Sequence, residues 1–96
     1  MKQAIINAIQ NKEMLSFHYS NIARVVEPHA FGVSSKGNPV LRCFQVSGGH
    51  IHPGHEWELC DVSKISNLAS TGEHFENPRP GYKRGDKGMI TIYAEL

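Results

Sequence analysis

The run Arg24-Val25-Val26-Glu27-Pro28-His29-Ala30-Phe31-Gly32 constrains the chain most tightly. It alternates as a strand does. Val25, Glu27, His29 and Phe31 would point one way, and Arg24, Val26, Pro28 and Ala30 the other. Pro28 has no N–H to give to a ladder, so this strand must bend there or lie at an edge. Gly32 then opens a turn. With Arg, Glu and His among its apolar residues, the strand has two tasks: packing one element and presenting polar groups at its rim. Upstream, Leu15, Phe17 and Tyr19 alternate against Met14, Ser16 and His18. Ser20-Asn21 makes a turn, and Ala23 to Phe31 returns as the second strand of a hairpin.

The remaining elements are short. Lys2 to Glu13 predicts an amphipathic helix with Ile5, Ala8, Ile9 and Met1 on one stripe, too short to stand alone in water. Ser34-Ser35-Lys36-Gly37-Asn38-Pro39 is a turn cluster, Val40 to Ser47 a third strand, and Trp57 to Val62 a fourth. Ser63 to Ala69 continues extended or as a brief helical turn. From Thr71 to Gly88, Gly72, Pro78, Pro80, Gly81, Gly85 and Gly88 argue against long regular structure, with His74-Phe75 as an anchor to the core. Ile90 to Leu96 alternates again, with Ile90, Ile92, Ala94 and Leu96 on one face. One helix followed by about five evenly spaced strands predicts a mainly β fold, a small five-stranded barrel with the helix across one opening. Phe17, Phe31, Phe44 and Trp57 are assigned to its core.

Ninety-six residues make one domain, residues 1–96. A chain of that size buries only roughly 60–65% of the surface that it exposes when unfolded. A formal net charge of +1 is too small to hold duplex DNA by bulk electrostatics, so an anionic partner must meet a local patch. The N-terminus lacks an apolar run of signal-peptide length and no segment approaches a membrane span, so a cytoplasmic protein without membrane partners is expected. Cys43 and Cys60 make no disulfide framework and are expected as reduced, interior thiols.

The blocks Ile5 to Ile9, Leu15-Xaa-Phe17-Xaa-Tyr19, Arg24-Val25-Val26-Glu27-Pro28-His29 with Gly32, Val40 to Phe44 and Trp57 to Ile65, followed by Phe75 and Pro78 to Tyr82, run in an order and spacing that resembles the WYL domain family of bacteria and phages. The resemblance covers nearly the whole chain, and Arg-Xaa-Xaa-Glu-Pro-His is its most specific block. It implies an Sm-like, SH3-type β-barrel that senses nucleic acids or nucleotide-like anions, often in regulation or phage defence. Such modules are typically attached to a winged helix-turn-helix, for which no residues remain here. The chain departs from the family in three places. Of the naming triplet, at Pro39-Val40-Leu41, only the leucine survives. Glu58 stands where an arginine is usual, and Cys60 where an aromatic is.

Four groups of side chains are candidates for binding. Arg42 shares a strand face with Val40, Phe44 and Val46, and a guanidinium there needs either a phosphate or a carboxylate. Glu58, on the Cys60/Val62 face of the next strand, is the expected carboxylate; its loss should then strengthen nucleotide binding. Arg24 and His29 would line the rim of the same pocket, with His29 titrating near neutrality; the plainer role for Arg24 is a surface pair with Glu27 or another carboxylate. The loop Arg79-Pro80-Gly81-Tyr82-Lys83-Arg84-Gly85-Asp86-Lys87 sets basic residues around one tyrosine, which suits a single-stranded nucleic acid; Tyr82 packed on the barrel is the plainer reading. Lys64 adds a further cation. His50-Ile51-His52-Pro53-Gly54-His55, with the two cysteines, has ligand types suited to zinc but no zinc spacing, and no metal or cofactor is expected. Paired carboxylates, a phosphate-cradling glycine loop and a nucleophile elbow are all missing, so no catalysis is expected. The chain reads as a sensing or sequestering module for a nucleotide-like anion or a short single-stranded nucleic acid. The rival is an interaction protein that self-associates or docks on a protein partner without a small ligand.

Overall fold

The computed structural model describes residues 1–49 and 54–96. Helix α1 (Lys2–Gln10) is followed by strands β1 (Glu13–Tyr19), β2 (Ile22–Val33), β3 (Pro39–Gly48) and β4 (Trp57–Asp61). A 3-10 turn, Val62–Lys64, then leads to β5 (Ile65–His74) and β6 (Thr91–Glu95). The fold is thus mainly β with one N-terminal helix, as expected. There are six described strands rather than about five, and they form an antiparallel sheet in the order β4-β3-β2-β1-β5, with β6 on β2. Among the described residues β4 and β5 do not pair, so the sheet is not closed.

Strand β2 organises this sheet. Along one edge it pairs with β3 from Arg24 to Val33. Its other edge is divided: β1 pairs with Ile22 to Val26, and β6 with Ala30 to Val33. Glu27 and Pro28 belong to neither ladder, which is where a residue without an N–H is tolerated. The ladder with β3 shifts register between Pro28 and Ala30. This bulge breaks the simple alternation expected from the sequence. Val26 and Phe31 now share the main core, while Glu27 and His29 are buried outside it.

The hairpin between β1 and β2 closes through Ser20 and Asn21, with φ of 53° and 62°. Two positive φ values in a two-residue loop suit the right-handed twist of the strands beside it. The main core joins Ile5, Ala8 and Ile9 of α1 to Leu15, Phe17, Val26, Phe31, Leu41 and both cysteines. Burying an isoleucine contributes roughly 2–3 kcal/mol, and this burial docks a helix too short to persist alone. Met1 is 58% exposed and lies off the stripe. The helix also stops short of Glu13, because Lys12 takes a φ of 52° and Glu13 already pairs with His74.

Strand β5 overturns the expectation of irregular chain from Thr71 onward. It runs to His74, past two register shifts against β1. Asn67 and Gly72, with φ of 54° and 81°, absorb those shifts. A smaller apolar cluster, Ala30, Val40, Met89 and Ile92, lies apart from the main core.

Candidate functional site

Register decides which side chains meet. Across β3 and β4, Arg42 faces Leu59, and Cys43 faces Glu58. Directly paired residues share a face and neighbours alternate, so Leu41, Cys43, Glu58 and Cys60 lie on the core side. Val40, Arg42, Phe44 and Trp57 lie on the other. The expected Arg42–Glu58 pair is therefore not formed, because the two side chains emerge from opposite faces of the sheet.

The outer face is covered by the chain between β5 and β6, residues 75–90. His29 fastens it. Its ring is fully buried, with Nδ1 2.8 Å from the Glu27 carbonyl and Nε2 accepting the Arg79 N–H at 3.0 Å. Since Nε2 accepts, Nδ1 must carry the proton and donate to the carbonyl. Phe75 stacks at 5.7 Å, Trp57 meets the ring edge-on at 4.7 Å, and Tyr82 lies 5.1 Å away. Burial holds the imidazole below its usual pKa, with the Glu27 carbonyl opposing that shift. His29 thus sits in the interior with both nitrogens engaged, rather than at a pocket rim titrating near neutrality.

Arg79 is the second fastening. Its guanidinium donates twice to Glu27, Nε to Oε1 at 2.8 Å and Nη2 to Oε2 at 3.0 Å, and lies over the Phe44 ring. Glu27 therefore belongs to Arg79 and not to Arg24. Tyr82 donates its hydroxyl to the Leu96 carbonyl at 3.1 Å, and Trp57 donates Nε1 to the Pro80 carbonyl at 3.1 Å. Arg84 and the Gly85 N–H both bond the Glu95 carboxylate.

Between this covering chain and the sheet lies a cavity of about 360 Å³, lined by Arg42, Trp57 and residues 81–87. Arg42 enters from β3 and is held by Asp86, with Nε donating at 2.7 Å and Nη2 at 3.2 Å. The arginine holds the Asp86 carboxyl below its usual range, while the bond to Asp86 raises the pKa of Arg42. Two N–H groups of the guanidinium are used in this way, and among the described residues Nη1 is left for another acceptor. Among the described residues, Lys83 and Lys87 make no ion pair, and Arg84 remains 73% exposed by its side chain despite Glu95. Trp57 and Tyr82 add two nearly parallel rings, 21° apart in plane with centroids 6.4 Å apart.

The sequence candidates are thus divided. Arg42, Tyr82, Lys83 and Arg84 come together at the cavity. Arg79 and His29 hold the chain that forms it. Lys64 lies exposed on the 3-10 turn, outside the cavity lining. Arg24 shares a register position with Phe17 and stands elsewhere, 3.9 Å from Glu58 and over the Tyr19 ring. Its buried Nε has no hydrogen-bond partner among the described residues. A second hollow of about 420 Å³ lies beside it, lined by residues of the β1–β2 hairpin with Ser47, Gly48 and Asn67. Trp57, assigned to the core by sequence, instead lines the cavity with Phe44 behind it at 5.4 Å; only its position opposite Phe44 at the start of β4 could have signalled this. Lys87 and Asp86, of the same basic loop, also line the cavity.

Cys43 and Cys60 are free, buried thiols on the core side. The hydrogen bond to Cys60 and complete burial push the Cys43 thiol well above the usual range, which makes it a poor nucleophile. Of the zinc reading of His50 to His55 with the two cysteines, residues 50–53 lie outside the described residues. No described helix is long and apolar enough to cross a membrane.

Comparison with protein-family models, with curated proteins and with solved structures gives no match.

Proposed function

We propose that the protein is a binding module for a nucleotide-like anion or a short single-stranded nucleic acid, and that it acts by sensing or sequestering that ligand. The observation that carries this function is the cavity beside Arg42, which gathers four cations, one internal carboxylate and two aromatic rings within about 360 Å³. Phosphate is attracted by the lysines as point charges and by the free side of the guanidinium. A base is accommodated on the rings. The bent sheet, with β2 shared between β1 and β6, is what an Sm-like or SH3-type barrel of the WYL kind would need. On that resemblance the protein would serve in the cytoplasm, in regulation or phage defence.

A second function has its own observation. Beyond Ile65, strand β5 is exposed over most of its length and pairs through β1 alone among the described residues. An open edge is a template for another strand, so self-association or docking on a protein partner competes with ligand binding as the main activity.

Titration with nucleotides, cyclic oligonucleotides and single-stranded oligomers at two salt concentrations, with light scattering on the same samples, separates the two. Saturable, salt-weakened binding by a monomer supports the module. A stable oligomer that takes none of these ligands supports the interaction protein.

A further inference from the structure

The cavity treats the two halves of a nucleotide differently. Polar atoms at the ring edges are already engaged: Trp57 Nε1 with the Pro80 carbonyl, and the Tyr82 hydroxyl with the Leu96 carbonyl. Both Asp86 oxygens face Arg42, and Oδ1 also accepts the Gly88 N–H. The other charged side chains of the lining are lysines and arginines, which donate but cannot accept. A nucleobase therefore finds π surface in this cavity but no free side-chain acceptor to read its donors. Its phosphate, in contrast, finds Lys83, Lys87 and the unused Nη1 of Arg42. The space, about 360 Å³, suits one nucleotide unit rather than a continuous strand.

We infer that the cavity is a base-tolerant site for a single nucleotide unit, stacking any base on Trp57 and Tyr82 and holding its 5′-phosphate with Lys83, Lys87 and Arg42. This rests on the anion-binding function proposed above and narrows it. One nucleotide unit has two sources, a free mononucleotide or the 5′-phosphorylated end of a single strand.

Trp57 is the only tryptophan of the chain, so its fluorescence reports on the cavity directly. The intact protein is titrated with AMP, GMP, CMP, UMP, adenosine, ribose 5-phosphate and pyrophosphate, with calorimetry alongside. AMP should quench Trp57 and bind on the order of tenfold more tightly than ribose 5-phosphate, since stacking one base contributes roughly that much, and more tightly than adenosine, which lacks the phosphate. The four mononucleotides should agree within about threefold. Lys83→Gln with Lys87→Gln, both at exposed positions, should weaken AMP and ribose 5-phosphate together and leave the melting temperature in place. Four-nucleotide strands with and without a 5′-phosphate identify the source. Tighter binding of AMP assigns a free nucleotide, and tighter binding of the phosphorylated strand assigns a strand end.

The inference is overturned if AMP binds no better than ribose 5-phosphate, if one base is preferred tenfold, or if the 5′-hydroxyl strand binds as tightly as AMP. In those cases pyrophosphate binding would still uphold an anion site. If pyrophosphate and every nucleotide fail to bind, the function proposed above fails with it.

Discussion

Asp86 occupies the position that an incoming anion would contest. Its carboxylate takes two N–H groups of Arg42 in the geometry by which a guanidinium grips a phosphate. The compensating charge that the sequence located at Glu58 is thus supplied from a loop 44 residues downstream of the arginine. No periodicity reveals such a pairing, because it depends on which face of β3 the loop crosses. Asp86→Asn should raise the affinity for AMP or pyrophosphate several-fold by removing the internal competitor. Its cost in stability should be about 1 kcal/mol, since Arg42 is partly solvated and screening lowers the value of the pair. Unchanged or weaker binding, measured by calorimetry, would show that Asp86 does not compete. His29 supplies a second test at this scale. Its pKa is lowered on folding from the ordinary 6.5, burial being the main cause. The unfolded chain therefore binds the extra proton more readily. This contribution to stability is complete above about pH 6.5 and is lost as pH falls below that value toward the folded pKa. His29→Phe should flatten the loss of melting temperature between pH 7 and 5. It should also cost about 1–3 kcal/mol at pH 7.5, because the Arg79 N–H and the Glu27 carbonyl lose their partner. A slope as steep as that of the unaltered protein would move the titration to another group.

The elements were legible wherever a local pattern fixed them. Alternation from Leu15 to Tyr19, the Ser20-Asn21 turn and the run up to Phe31 gave the first hairpin, and helical spacing gave the stripe of Ile5, Ala8 and Ile9. Strand β5 was not legible beyond Ala69, because Gly72 reads as a breaker and here serves a bulge. The faces of β2 were misassigned past Pro28 for a similar reason: a bulge adds one residue, and every side chain beyond it changes sides. Gly32 is where β2 and β6 pack closely, backbone against backbone. A Cβ there would stand 2.0 Å from the Thr91 carbonyl oxygen and 3.0 Å from the Met89 sulfur. Gly32→Ala should therefore force β6 away and cost about 2–3 kcal/mol. Hydrogen exchange should locate the damage, with faster exchange at Thr91 to Glu95 and little change in β1. The hairpin offers the opposite test. Asn followed by Gly at positions 20 and 21 suits two positive φ values better than Ser followed by Asn. Ser20→Asn combined with Asn21→Gly should raise stability by about 0.5–1 kcal/mol in a urea titration.

At the scale of the molecule, the long-range connections run through the ends of the sheet. The Asp61 N–H donates to the Tyr19 hydroxyl at 3.1 Å, which draws the end of β4 toward the end of β1 although the strands do not pair. Residues 75–90 then cross the outer face, so that a cavity arises from strands of the middle of the sequence and a loop from its end. Composition bounded this arrangement in one respect. A net charge of +1 leaves no general positive field to draw nucleic acid, so affinity must come from the few cations that meet at one place. Salt dependence measures how many phosphates they neutralise. For single strands, the slope of log K against log salt is about −0.7 for each phosphate neutralised. If Lys83, Lys87 and Arg42 together hold the one 5′-phosphate, a 5′-phosphorylated tetranucleotide should give a slope of about −0.7, and removal of both lysines should bring it close to zero. Lys64→Gln and Lys36→Gln, exposed and outside the cavity lining, should leave it unchanged. A slope of about −2.8, the value for all four phosphates, or one that Lys64→Gln reduces as much as Lys83→Gln does, would mean that the strand runs across the surface of the protein instead of entering the cavity.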